Sequence, residues 1–209
     1  MEQAARSISE LLIDLAAEGQ ESRILFLCGP GNNGADGLAA ARQLLGHPRF
    51  QVTACAPMGL GDPDSLLYLH GNAYRKLGGL LKIGPSCLQA KDIPRPTLIV
   101  DALFGVGLSR PLGPELLTWV ESLQAEGAPT LAVDCPSGLD CTSGKALGAA
   151  VRADWTLSFV APKTGFQQAD GPHSCGQVFV ADIGVRSEIA QAWLAHGKRF
   201  DAESSDSSS

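Results

Sequence analysis

Near the start of the chain, Ile8, Leu11, Leu12 and Leu15 recur at the spacing of one helix face and predict an amphipathic helix ending near Gly19. The pattern then changes to short apolar runs, each followed by polar and glycine-containing residues. RILFLCG (23–29), FQVTACA (50–56), PTLIVDALFG (96–105), PTLAVDCPSG (129–138), TLSFVAP (156–162) and GQVFVADIG (176–184) predict strands, and LLKI (80–83) a short one. Helical patterns separate them: DGLAAARQLL (36–45), the later part of GDPDSLLYLHGNAYRKLGG (61–79), PELLTWVESLQAEG (114–127) and EIAQAWLAHG (188–197). Asp36 is expected at or near the N-cap of its helix, and Pro114 and Gly127 bracket theirs. Apolar strands alternating with helices describe a parallel α/β sheet covered on both faces.

Composition narrows the reading without changing it. At 209 residues and 44% hydrophobic content the chain suffices for one domain with a substantial core. That domain is expected over residues 1–200, with DAESSDSSS (201–209) as a disordered tail or the start of a linker. The formal net charge is −6, and the tail holds three of the acidic residues. No basic stripe appears, which argues against nucleic acid or an anionic membrane surface as partner. No apolar run approaches the ~18 residues of a membrane span. Glu2 and the absence of a basic n-region argue against a signal peptide, so a cytoplasmic location is expected. Six cysteines (28, 55, 87, 135, 141, 175) show no C-x-x-C and no zinc-like spacing. Free thiols in a reducing compartment are the expectation.

The candidate chemistry lies where the strands end. Gly29–Asp36 follows the first strand, Asp101 and Asp134 end two others, and Ala161-Pro162-Lys163 follows a fourth. In a parallel sheet these ends share one edge, the edge at which such folds bind ligands. Gly29, Gly31 and Gly34 spell G-x-G-x-x-G, yet the acidic residue expected ~20 positions on is missing, since the second strand ends in Ala54-Cys55-Ala56-Pro57. The loop also lacks the G-K-[ST] of a P-loop. Asn32 and Asn33 supply amide oxygens of the kind a hard cation takes. Gly105 and Gly107 allow close approach of a ligand to the backbone, and Ser109 and Arg110 suit a phosphate. Lys163 is open between a ligand contact and an exposed turn. His47, His70, His173 and His196 fall outside these loops, so neither a Ser-His-Asp triad nor a transition-metal site is expected.

The segments GNNGADGLAAARQL, DALFGVGLSRPL, VDCPSGLD and APKTGF, in that order, resemble the YjeF N-terminal domain, the NAD(P)H-hydrate epimerase family, over about residues 1–185. The resemblance implies a Rossmann-like three-layer α/β/α sandwich with a mostly parallel central sheet, in a homodimer. It implies an isomerase that interconverts the R and S epimers at C6 of hydrated NADH or NADPH. The dinucleotide is then a damaged small-molecule substrate and not a redox cofactor, and a dehydratase, free or fused, consumes the S form. By position, Asn32, Asn33, Gly34, Ala35, Asp36, Gly105, Val106, Gly107, Leu108, Ser109, Arg110, Pro111 and Asp134 would contact the substrate. Asn33, Asp101 and Ser137 would hold one potassium ion per subunit. Ala35 stands where the family commonly has glycine; a left-handed backbone there would cost alanine ~1–2 kcal/mol.

Epimerisation needs no oxidant. The ring nitrogen's lone pair can expel the hydroxyl, with water re-entering the iminium from the other face and one acid/base group beside it; ring opening at the same bond is the alternative path. Asp134 is the expected catalytic residue. Two alternatives are an inactive dimeric scaffold of the same fold, as in RNA-processing relatives, and an NAD(P)-dependent oxidoreductase. The presence of Asn33, Asp101, Asp134 and Ser137 argues against the first, and the missing acid after the second strand against the other.

Overall fold

The computed structural model describes residues 1–16, 21–89, 94–108, 111–114 and 127–184, together with Leu116, Thr118 and Ala125. Seven strands, β1 (Ser22–Cys28), β2 (Phe50–Ala56), β3 (Leu80–Ile83), β4 (Leu98–Ala102), β5 (Thr130–Val133), β6 (Trp155–Phe159) and β7 (Gln177–Ala181), form one sheet in the order β3-β2-β1-β4-β5-β6-β7. Every pairing is parallel. Helices α1 (Glu2–Leu15), α2 (Asn32–Gln43) and α3 (Leu66–Lys76) accompany them. The predicted helix over 188–197 lies outside the described residues. Of the one over 114–127, Pro114, Leu116, Thr118 and Ala125 are described as helical.

The pleat of β1 explains the layering. Ile24, Phe26 and Cys28 point to one face and join Ile8 and Leu12 of α1, Leu38 and Ala41 of α2 and Tyr74 of α3 in the main core. Leu25 and Leu27 point to the other face and pack with Cys55, Ile99, Leu103 and Leu116. Both faces of the central strands are therefore buried, which is why they read as continuous apolar runs. Tyr74 is wholly buried, and its hydroxyl donates to the Val52 carbonyl at 2.8 Å.

Two expectations are corrected. Helix α2 begins at Asn32, with Gly31 as its N-cap, so Asp36 sits inside the helix and caps nothing. The early start follows from the approach of the helix to β1 and β4: a Cβ on Gly34 would stand 1.9 Å from the Gly29 carbonyl oxygen, and one on Gly29 1.7 Å from that of Leu103. Cysteine is the second correction. Cys28, Cys55, Cys87 and Cys175 are free and buried as expected, but Cys135 and Cys141 form a disulfide. The turn Pro136-Ser137-Gly138, closed by the Leu139 amide donating to the Pro136 carbonyl, folds the chain back and brings the two Cα atoms to 6.6 Å. No helix among the described residues is long and apolar enough to cross a membrane.

Candidate active site

The chain leaves β1 toward β2 and β3 on one side and reaches β4 on the other, so the carboxyl ends of β1 and β4 flank the topological switch point. A cleft of about 390 Å³ opens there. It is lined by Pro30–Asn33 and Asp36 from the start of α2, Leu103–Leu108 after β4, Asp134 after β5, and Phe159 at the end of β6. Of the residues expected at a ligand, Asn32, Asn33, Asp36, Gly105, Val106, Gly107, Leu108 and Asp134 line this space. Gly34 and Ala35 are buried, and Pro111 is exposed outside the lining. Ser109 and Arg110 lie outside the described residues. Ala35 is helical, and the non-glycine residues described at positive φ are Asp134, Val160 and Ala169. Alanine therefore carries no backbone penalty at position 35.

Asp101 and Ser137 meet beneath the floor of the cleft. Asp101 is buried, and the Ser137 hydroxyl donates to its Oδ1 at 2.6 Å while the Ser137 amide donates to Oδ2 at 2.8 Å. The Leu103 amide also donates to Oδ1 at 3.2 Å, and the Phe104 amide donates to Ser137 Oγ at 2.9 Å. These donors are all neutral. Burial wins over them and pushes the Asp101 carboxyl up to about 6. Asn33 contributes an unusual feature: its Nδ2 is buried without a hydrogen-bond partner.

The upper part of the site holds two more carboxylates. Asp36 is pushed up to about 6, first by burial and further by the charge of Asp134, against the opposing α-ammonium of Met1. Asp134 follows β5 with φ 63°, a left-handed conformation that aims it back across the strand ends. Its Oδ1 accepts the Phe159 amide at 3.2 Å and pairs with Lys163 Nζ at 2.9 Å. A Cβ on Gly105 would lie 3.2 Å from Asn33 Oδ1 and 3.4 Å from Asp134 Oδ2. Asn33, Gly105 and Asp134 thus converge on one point in the cleft. Among the described residues no three His, Cys, Asp or Glu are grouped to hold a metal ion. His47, His70 and His173 are not among the lining residues, and His196 is not described.

Lys163 is the residue on which sequence reasoning stopped short. The Ala161-Pro162-Lys163 motif does not identify its partner, Asp134, which depends on how the chain turns after β6.

A profile described as the YjeF-related protein N-terminus matches residues 1–165. The NAD(P)H-hydrate epimerase of Weissella koreensis is 38% identical over 191 residues, covering 90% of this chain and 81% of that protein. The NAD(P)H-hydrate epimerase of Rhodopirellula baltica is 34% identical, with 90% and 76% covered. The bifunctional NAD(P)H-hydrate repair enzyme Nnr of Salinibacter ruber is 38% identical over 88% of this chain, which spans 36% of that longer protein. Among solved structures, yeast ynu0 shares the fold, with a TM-score of 0.70 and 20% identity over 87% of this chain and 76% of its own. A profile match over most of the length, relatives of this similarity and a shared fold lead to one conclusion: the chain belongs to the YjeF-related protein N-terminus family.

Proposed function

We propose that this chain is an NAD(P)H-hydrate epimerase, interconverting the R and S forms at C6 of hydrated NADH or NADPH. The observation that carries the reading is the cleft at the β1/β4 switch point, which places the Asp134 carboxylate against loops suited to a dinucleotide. The similarity to the two proteins named NAD(P)H-hydrate epimerase supports it. No acidic residue ends β2, where a ribose-binding redox fold would have one.

The chemistry follows from the substrate. The ring nitrogen's lone pair breaks the C6–O bond; the departing hydroxyl takes a proton and leaves as water. Water then adds to the opposite face of the iminium and gives up a proton. Asp134 exchanges that proton through Oδ2, and its charge stands beside the cationic ring. The segments 30–33 and 105–107, which line the cleft, would offer backbone amides to the phosphates.

Asn33, Asp101 and Ser137 are the residues proposed to hold potassium. The donor set fits a hard cation: a buried carboxylate with only neutral partners, a hydroxyl oxygen, and the Asn33 amide oxygen beside Gly105. When bound, the ion supplies a fixed positive charge at the floor of the cleft. We place the chain in a homodimer, in the cytoplasm, upstream of an S-specific dehydratase.

The test is incubation of the purified chain with the R-hydrate and separation of the epimers by chromatography. Interconversion is expected, and its absence overturns the reading. An Asp134→Asn variant that unfolds like the wild type is expected to lose about 10²–10⁴-fold in rate. Wild-type turnover by that variant would remove Asp134 from the role.

A further inference from the structure

We propose that Lys163 is a positioning residue, a clamp that fixes one oxygen of Asp134 and thereby turns the other into the cleft. The proposal rests on the epimerase reading above and names the support of its acid/base group.

The strand ends show how the clamp is built. Strands β5 and β6 are neighbours, and both end in the same unusual turn. After β5, the Cys135 amide donates to the Val133 carbonyl at 2.8 Å around Asp134. After β6, the Ala161 amide donates to the Phe159 carbonyl at 2.8 Å around Val160. The central residues have φ 63° and φ 69°. Three-residue turns of this hand are rare and strained, and a β-branched valine is among the least suited residues for one. Two such turns on adjacent strands are held by their surroundings: the Asp134 amide bonds to the Leu157 carbonyl at 2.8 Å and the Val160 amide to that of Ala181 at 3.0 Å. The first turn presents Asp134. The second reverses the chain so that Lys163 returns over the end of its own strand.

Lys163 then spends its donors inside the protein. Nζ meets Asp134 Oδ1 at 2.9 Å, the Phe159 carbonyl at 2.9 Å and the Ala161 carbonyl at 3.4 Å. An ammonium has three N–H groups, so none remains for a phosphate. The pair is also withdrawn from water, at 21% and 14% side-chain exposure, unlike a loose surface ion pair. With Lys163 and the Phe159 amide both on Oδ1, the oxygen that faces Gly105 is Oδ2. A carboxylate fixed on one side keeps its reactive oxygen aligned, and small losses of alignment are costly in rate.

Lys163→Met is expected to lower kcat about 10–100-fold with KM within about threefold of wild type, and Lys163→Arg to recover part of the loss. In an Asp134→Asn background, Lys163→Met is expected to cost less than about twofold, since the clamp then has nothing to hold. An unchanged kcat, a rise in KM alone, or a full additional loss in the Asp134→Asn background overturns the proposal. Amine labelling followed by peptide mass spectrometry adds a readout that needs neither turnover nor the methionine variant. Lys163 is expected to label about tenfold or more slowly than exposed Lys76, and faster once Asp134 is asparagine. Equal labelling of Lys163 and Lys76 in the wild type overturns the clamp. A wild-type chain that protects Lys163 but fails to epimerise the hydrate overturns the function reading alone.

Discussion

Gly105→Ala separates the fold from the site. Gly105 is not at positive φ, so alanine meets no backbone penalty there. Relative to glycine it reduces the freedom of the unfolded chain, a gain of about 0.4–1 kcal/mol. Against this, the new methyl would stand 3.2 Å from Asn33 Oδ1, which must yield by a few tenths of an ångström, and in van der Waals contact with Asp134 Oδ2 at 3.4 Å. The two effects nearly cancel, and the melting temperature is expected to stay within about 3 °C of wild type. The methyl occupies the point on which Asn33 and Asp134 converge, so a reacting group is displaced by about 1 Å, and kcat/KM is expected to fall about 100-fold. Gly34→Ala provides the contrast. Its Cβ would meet the Gly29 carbonyl oxygen at 1.9 Å, backbone against backbone, and the fold itself is expected to fail. The assay is epimer interconversion beside thermal unfolding, for both variants. A Gly105→Ala protein with wild-type kcat/KM would refute the placement of the substrate against Asn33 and Asp134.

Two further outcomes are expected. Burial holds Asp36 at about 6, above its ordinary 3.8, so the folded chain binds that proton more tightly than the unfolded chain does. The stability involved is present below about pH 4 and lost as pH rises through about 6, by at most about 3 kcal/mol and less where water reaches the side chain. Asp36→Asn removes this loss, so urea unfolding should show the variant gaining on wild type between pH 4 and 8; parallel curves would refute it. Exchanging choline chloride for potassium chloride is expected to raise the melting temperature, by about 2.7 kcal/mol of stability if the ion is at a hundred times its Kd. Ser137→Ala should abolish the shift, and an equal shift in that variant would remove Ser137 from the ion.

Much of the architecture was legible because strands buried on both faces are written as unbroken apolar runs; β2 has the predicted bounds, Phe50–Ala56. The position of Asp134 in the cleft was legible because a polar group at the end of such a run emerges on the ligand edge, whereas Asp101, which still lies within its strand, is buried beneath it. Other features depend on contacts distant in sequence. Local preference put Asp36 at a helix cap, but the close packing of Gly34 on Gly29 starts α2 four residues earlier, and the same start makes Ala35 an ordinary helical residue. The role of Lys163 turns on a left-handed valine, a conformation no local rule would assign. The Cys135–Cys141 bridge has no spacing signature and arises from the fold of the loop between them.

That bridge closes a covalent ring containing Ser137, with Asp134 as the residue just outside it. Wild-type protein kept in a thiol reductant and protein purified in air are therefore different molecules at the segment that carries both the proposed acid/base group and a proposed ion ligand. Rates or ion affinities measured on one are not transferable to the other until the two sulfurs have been counted.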